Sequence, residues 1–303
     1  MNTKIKNLIK FTIGIIILFT LIYKIGILDI FNAIKTANIY YTIPIIIIYP
    51  IIMLMGAINI KLLLNKYKNI SIKTIWKYQL ISYTLGLFSF GNLGEFYIIR
   101  LLKKEGISID QGLTIALLDK IITAATLATI SIIGSIFLFK NIIDPIKLVI
   151  SAIIIFILGI IIISDIGKKL IKLIIKSKKV DLIYSTTHEY LKYGKKEIII
   201  NFLISMAKWF ITAIGIKILI LGFGYNINIL IVLVITSISR FISLLPITFN
   251  GIGVKEAIAV TLYTPYLIPR EVILSVYLIY LIINYATALI GLLIGALNFK
   301  KID

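Results

Sequence analysis

The chain has no cysteine, a single histidine, six prolines and only 13 acidic residues against 32 lysines and arginines. Without cysteine there is no disulfide, no thiolate metal site and no iron–sulfur cluster. One histidine, His188, gives no basis for an imidazole metal centre, and it reads as a solvated member of the basic loop around it. No histidine–carboxylate pair is legible either, so we expect no cofactor, no metal and no catalytic constellation. Charge itself is missing over long stretches. Uncharged runs extend from Lys35 to Lys61, Lys120 to Lys140, Lys217 to Arg240 and Glu271 to Lys300.

What fills those runs is apolar. Hydrophobic residues make up 60% of the 303, well above the roughly 45–50% usual in globular chains, and the mean hydropathy is +1.06. About 20 helical residues cross a hydrocarbon core of about 30 Å. The fold class is therefore an all-α polytopic membrane protein, with approximate spans at 8–27, 38–60, 109–139, 146–164, 197–221 and 270–298. The net charge of +19 does not point to nucleic acid, because the basic residues cluster beside the spans, where they suit the positive-inside rule and anionic lipid headgroups. KIKNLIK and the apolar stretch behind it imitate a signal peptide without a small-residue cleavage site, and read as a retained first span.

Two further apolar segments, 76–100 and 228–266, are broken by glycine and carry charge: FSFGNLGEFYIIR (Phe88 to Arg100) and RFISLLPITFNGIGVKE (Arg240 to Glu256). Irregular backbone and ionisable groups at membrane depth survive only when buried in protein or lining a wet cavity. Charge counting supports treating both as re-entrant hairpins. With the N-terminus inside, the loops at 1–10, 61–77, 100–108, 165–197 and 300–303 fall on the cytoplasmic side with 22 of the 32 Lys and Arg, while the outer connections hold only Lys35, Lys140, Lys147 and Arg270. Six crossings result, with both termini cytoplasmic in the cell membrane. If the hairpins cross instead, there are eight spans and loop 100–108 moves outside.

In the six-span topology the two hairpins open to opposite sides, so the halves, about 1–164 and 197–303, form an inverted repeat. Gly94 precedes Phe139-Lys140 by 45 residues and Gly253 precedes Phe299-Lys300 by 46. The basic segment 165–196 joins them. In DIGKKLIKLIIKSKK, Ile166, Leu170, Leu173 and Ile174 share a helical face opposite lysines, the pattern of a helix on anionic lipid; a solvated basic loop is the other reading.

Candidate headgroup-pathway residues are Glu95, Arg100, Asp119, Lys120, Arg240, Asn250, Lys255 and Glu256, with hinges at Gly91, Gly94, Pro246, Gly251 and Gly253. Glycine permits the turns, Pro246 ends the entering helix, and Asn250-Gly251 supplies turn chemistry. Glu95 falls at a helix start, which favours an anion. Lys208 and Lys217 read as snorkelling residues. GIGVKE lacks the Lys-Ser/Thr and the strand–helix setting of a phosphate loop, but a half-helix N-terminus beside Lys255 and Arg240 suits an anion, which for a lipid is its phosphate.

The residues GNLGEFYIIR, Asp119-Lys120 and R…LLPITFNGIGVKEAIAVTLY resemble the lysylphosphatidylglycerol synthase transmembrane, flippase-like family over nearly the whole chain. Its first motif resembles G-x-G-E-x-x-R and its second R-x-x-x-x-x-P…G-G-x-G-x-[RK]-E. Asn250-Gly251 stands for the frequent Gly-Gly, and Asp119-Lys120 for Glu-Arg. Members that make aminoacylated lipids carry a soluble synthase domain after the membrane part. None follows before Asp303, so aminoacyl transfer is not expected.

The resemblance implies translocation of an anionic or aminoacylated phospholipid, or of a polyprenyl-linked lipid, between leaflets. The expected partners are membrane lipids, with a homo-oligomer left open and no nucleic acid. The alternatives are a membrane enzyme of polyprenyl-phosphate or lipid-sugar metabolism, and a non-catalytic accessory subunit whose charges only hold helices together.

Overall fold

The computed structural model describes residues 16–87, 94–138, 164–174, 178–244 and 248–299. Gly91, Pro246, nearly all of the expected span 146–164, and the terminal lysines lie outside them. Every regular element among the described residues is helical.

Four helical stretches are long and apolar enough to cross a membrane: Ile39–Leu64, Ile109–Leu138, Lys195–Gly222 and Arg270–Gly291. They coincide with four of the sequence-derived spans. We label the helices α1 (Ile16–Ile25), α2 (Ile27–Thr36), α3 (Ile43–Leu64), α4 (Ile72–Leu87), α5 (Tyr97–Lys104) and α6 (Ile109–Leu138). Then follow α7 (Asp165–Ile174), α8 (Lys178–Tyr193), α9 (Lys195–Gly222), α10 (Ile229–Ser243), α11 (Val254–Tyr263) and α12 (Arg270–Phe299). The first span differs from expectation. Residues 28–36, around the Lys35 expected in an outer connection, are helical, and α1 and α2 meet at 77°. The cause is Gly26, whose φ of 102° is a backbone state that residues with a Cβ rarely adopt.

The chain forms two compact units, Met1–Met53 with Leu80–Glu95 and Lys208–Asp303, and Leu54–Gln79 with Phe96–Ala207. This division cuts across the two sequence halves. In the first unit α2 packs on α12 and α10 on α11. Helix α4 approaches α12 closely at Gly291, where Thr84 Oγ1 lies 2.9 Å from Leu80 O and 3.0 Å from Ala288 O. Small residues permit such approach where hydrophobic burial gives no drive between helices in lipid.

The second unit is built on Ile60, Leu63, Leu64, Ile75, Leu102 and Ile115, all buried. Helix α6 packs on α5 and α8. The basic segment thus becomes two helices, and α8 is built into the unit's core. Tyr190 is fully buried and donates to Leu63 O at 3.0 Å, and Thr186 donates to Asp110 Oδ2 at 3.1 Å. Ile166 on α7 is exposed, as is His188 on α8. A buried amide pair ties α3 to α9: Asn59 Nδ2 donates to Ser205 Oγ at 2.9 Å and Asn201 Nδ2 to Asn59 O at 3.3 Å.

Candidate functional site

Each polar residue of the site is placed by helical periodicity on the inner face of an otherwise oily helix. Side chains three, four and seven apart share a face. On α10 this brings Thr236, Ser239 and Arg240 together. On α12 it aligns Tyr277, Tyr280, Leu281 and Asn284, and on α9 Thr212 and Ile216. These residues, with Lys255 and Glu256 from the first turn of α11, line one cavity in the first unit. The space that admits water is about 20 Å³. That holds one or two waters, and is far too small for a lipid headgroup.

The loop into α11 explains how two charges reach this cavity. Asn250, Gly251 and Gly253 have φ values of 51°, 69° and 81°. Asn and Gly are the residues that enter the left-handed region at least cost. A Cβ on Gly251 would stand 2.5 Å from Ser243 Cβ, so the tip fits only with glycine there. The turn directs Lys255 and Glu256 inward, where they are 8% and 2% exposed. Asn250 is itself buried at the tip, 6% exposed.

Arg240 is surrounded rather than bonded. Its guanidinium carbon lies 5.9 Å from the Trp209 ring centroid. Tyr49, Tyr83, Tyr280 and Glu95 all act on it electrostatically. Tyr49 donates to Tyr83 at 2.5 Å and Tyr83 to Asn284 Oδ1 at 3.3 Å. The Tyr49 ring meets Tyr83 and Tyr280 edge-on, with centroids 6.4 and 6.2 Å apart. Among the described residues neither the Arg240 guanidinium nor the Lys255 ammonium makes a hydrogen bond or salt bridge, while the Arg240 carbonyl accepts from Ser243 Oγ at 2.7 Å.

The sequence-derived candidates divide accordingly. Arg240, Lys255 and Glu256 meet at the cavity; Asn250, Gly251 and Gly253 form the tip behind it; Glu95 stands within electrostatic reach of Arg240. Gly94 packs against Leu85 O and the backbone of Gly86, so the chain doubles back on the end of α4. Arg100, Asp119 and Lys120 belong to the second unit and are not among the cavity residues. Arg100 is exposed, 5.9 Å from the Tyr97 ring centroid.

The tyrosines and Asn284 were missed by the sequence reading. The Tyr277–Tyr280–Asn284 spacing was the signal available. Among the described residues no three His, Asp or Glu converge to hold a metal.

A family model described as "Lysylphosphatidylglycerol synthase TM region" matches residues 7–291. No curated protein matches the chain.

Proposed function

The chain belongs to the lysylphosphatidylglycerol synthase TM region family, and on that premise we propose that it moves a lipid between leaflets as a flippase-like transporter. The cargo class is an anionic or aminoacylated phospholipid or a polyprenyl-linked lipid, and the chain acts as a transporter rather than an enzyme. Family membership and the apolar helices make it a multi-pass membrane protein with a lipid-related role. The step to transport is carried by one observation: half-buried Arg240 and buried Lys255 line the same cavity, and neither charged group makes a hydrogen bond or salt bridge among the described residues. A cation at the bilayer centre costs about 2.5–3.5 kcal/mol on insertion scales. Two retained side by side suit an anionic phosphate that reaches them in passing.

Helix lengths support re-entrant segments. At about 1.5 Å per residue, the 15 residues of α10 and the 10 of α11 reach roughly 22 and 15 Å, short of a core about 30 Å thick. The reversal at Gly94 gives the first segment the same character. On this reading the segments open to opposite sides, the halves are inverted repeats, and both termini are cytoplasmic at the cell membrane. The cavity with room for one or two waters is then an occluded state that widens to pass a headgroup.

The experiment is scrambling of fluorescent phospholipids by the purified protein in liposomes, comparing wild type with Arg240→Ala and Glu95→Gln. Transport above the protein-free background, lost in Arg240→Ala, is the expected result. Equal rates at background in all three would sink the proposal.

A further inference from the structure

Helix α2 lies at a depth that three neighbouring spans fix, whether or not the chain moves lipid. It leaves α1 at 77° across Gly26. Two residues past its end, Asn38 donates its backbone N–H to Gly222 O at 2.8 Å, where α9 stops. The apolar stretch Ile39–Leu64 starts at the next residue, and a Cβ on Gly222 would stand 2.9 Å from Tyr41 Cβ. Ser275 Oγ, five residues after α12 begins, lies 3.5 Å from Ile30 O, and Ile30 is buried. One crossing therefore ends, and two begin, at the level of α2. Its ten residues, at about 1.5 Å each, reach roughly 15 Å, half of a core about 30 Å thick.

The sides of α2 have three different characters. Ile30 and Ala33, three apart, are the residues withdrawn from the surface. Ile27, Phe31 and Ile34 follow an i, i+4, i+7 spacing and are all exposed. Asp29, Asn32 and Thr36 follow i, i+3, i+7 and are exposed on another side. Lys35 stands at the border of the two exposed sides, its Nζ 4.4 Å from the Phe31 ring centroid. A lysine so placed covers apolar surface with its stem and keeps its charge in water.

Run through the core, this helix would turn Asp29, Asn32 and Thr36 to hydrocarbon, where such groups are costly. Held in water, it would leave Ile27, Phe31 and Ile34 bare. A helix lying along the boundary satisfies both sides. We propose that α2 is an interfacial helix lying in the plane of one bilayer face. Ile27, Phe31 and Ile34 enter the acyl region, and Asp29, Asn32 and Thr36 face water. Tyr23 before it and Tyr40 after it are exposed, in keeping with the aromatic residues that collect at this boundary. Asp29 and Lys35 are the only charges in ILDIFNAIKT, so the apolar side, and not attraction to anionic lipid, holds the helix down.

The test uses the full chain reconstituted in vesicles. The chain has no cysteine, so a single introduced one carries the only label. Phe31→Cys, Ile34→Cys and Asn32→Cys each receive an NBD fluorophore, and reading both apolar positions guards against one variant that does not fold. Quenchers are iodide on both sides of the membrane, a phosphatidylcholine spin-labelled near the headgroup, and one spin-labelled near the end of its acyl chain. Labels at positions 31 and 34 should be blue-shifted, insensitive to iodide, and quenched more by the shallow spin label than by the deep one, at a depth of about 5–10 Å. The label at position 32 should be quenched by iodide. Vesicles of phosphatidylcholine alone and with added phosphatidylglycerol should give the same result. Stronger quenching by the deep label at 31 and 34 overturns the proposal in favour of a broken span. Iodide reaching both positions places the helix in water and overturns it too. Shielding of both from lipid and water alike means that protein, such as a second copy of the chain, covers this side instead. A depth that depends on phosphatidylglycerol overturns the apolar anchorage.

Discussion

Glu256 Oε2 accepts the backbone N–H of Gly253 at 2.7 Å, closing the first turn of α11, in which Glu256 is the third residue. The carboxylate therefore has a structural duty beside its electrostatic one. It satisfies an orphan donor at a helix start, and it lines the same cavity as buried Lys255 and half-buried Arg240.

Separating those duties gives the first prediction. Glu256→Gln keeps an acceptor for Gly253 and loses the charge; Glu256→Ala loses both. Loss of such a cap costs about 0.5–2 kcal/mol, so Ala should melt below Gln, and Gln below wild type, in a thermal scan of the detergent-solubilised protein. If Gln and Ala melt together, the hydrogen bond to Gly253 contributes nothing and only the charge matters.

Glycines at helix contacts give the second. A Cβ on Gly94 would run into Leu85 O and the backbone of Gly86, atoms that cannot swing aside, whereas one on Gly215 meets Ile45 Cδ1 at an ordinary 3.6 Å. Gly94→Ala should then abolish a monodisperse peak in size-exclusion chromatography. Gly215→Ala should leave it intact and gain helix propensity, up to about 1 kcal/mol. A well-behaved Gly94→Ala protein would show that the reversal at Leu85 is not tight.

What the sequence made legible follows from cost. Arg240, Lys255 and Glu256 stand out because charge in an oily run needs a reason, and four spans stand out because apolar runs of that length are rare otherwise. The tyrosines around Arg240 did not stand out, since tyrosine is ordinary in membrane helices near the interface. Only packing of α3, α4 and α12 turns Tyr49, Tyr83 and Tyr280 inward together. The bend at Gly26 was hidden because apolar residues continue on both sides of it. Helix α8 was hidden for the opposite reason: its lysines suggested a solvated basic loop, while Tyr184, Thr187 and Tyr190, at successive spacings of three, are buried. Gly91 and Pro246, both read from turn chemistry, lie outside the described residues.

The hydroxyl chain beside Arg240 gives a third prediction. Tyr83 accepts from Tyr49 and donates to Asn284, so Tyr83→Phe strands two buried groups at once, while Tyr49→Phe removes only a donor. A buried group left without its partner costs about 1–3 kcal/mol. Tyr83→Phe should lower the melting temperature more than Tyr49→Phe, and the double variant should be less destabilised than the sum. Additive effects would mean the two hydroxyls do not act as a chain.

The last prediction concerns the junction of α7 and α8, away from the cavity. Lys172 and Lys168 reach Asp181 Oδ1 at 2.7 and 3.0 Å. Their hydrogen bonds, Lys172 first, hold the Asp181 carboxyl below the usual carboxylate range. A depressed folded-state pKa gives a contribution that is complete above the unfolded value, about 3.9, and is lost as pH falls through the folded one. Between pH 5 and 8 the junction should therefore be indifferent to pH, and being exposed it should weaken in high salt. Asp181→Asn should mimic the acid state at neutral pH by releasing both lysines. Limited trypsin digestion reads this directly, with cleavage after Lys168 and Lys172 faster in Asp181→Asn than in wild type at low salt, and the difference shrinking in 1 M salt, where the Debye length is about 3 Å. Equal cleavage in wild type and Asp181→Asn at low salt would show that packing of α7 on α8, and not the ion pairs, fixes the junction.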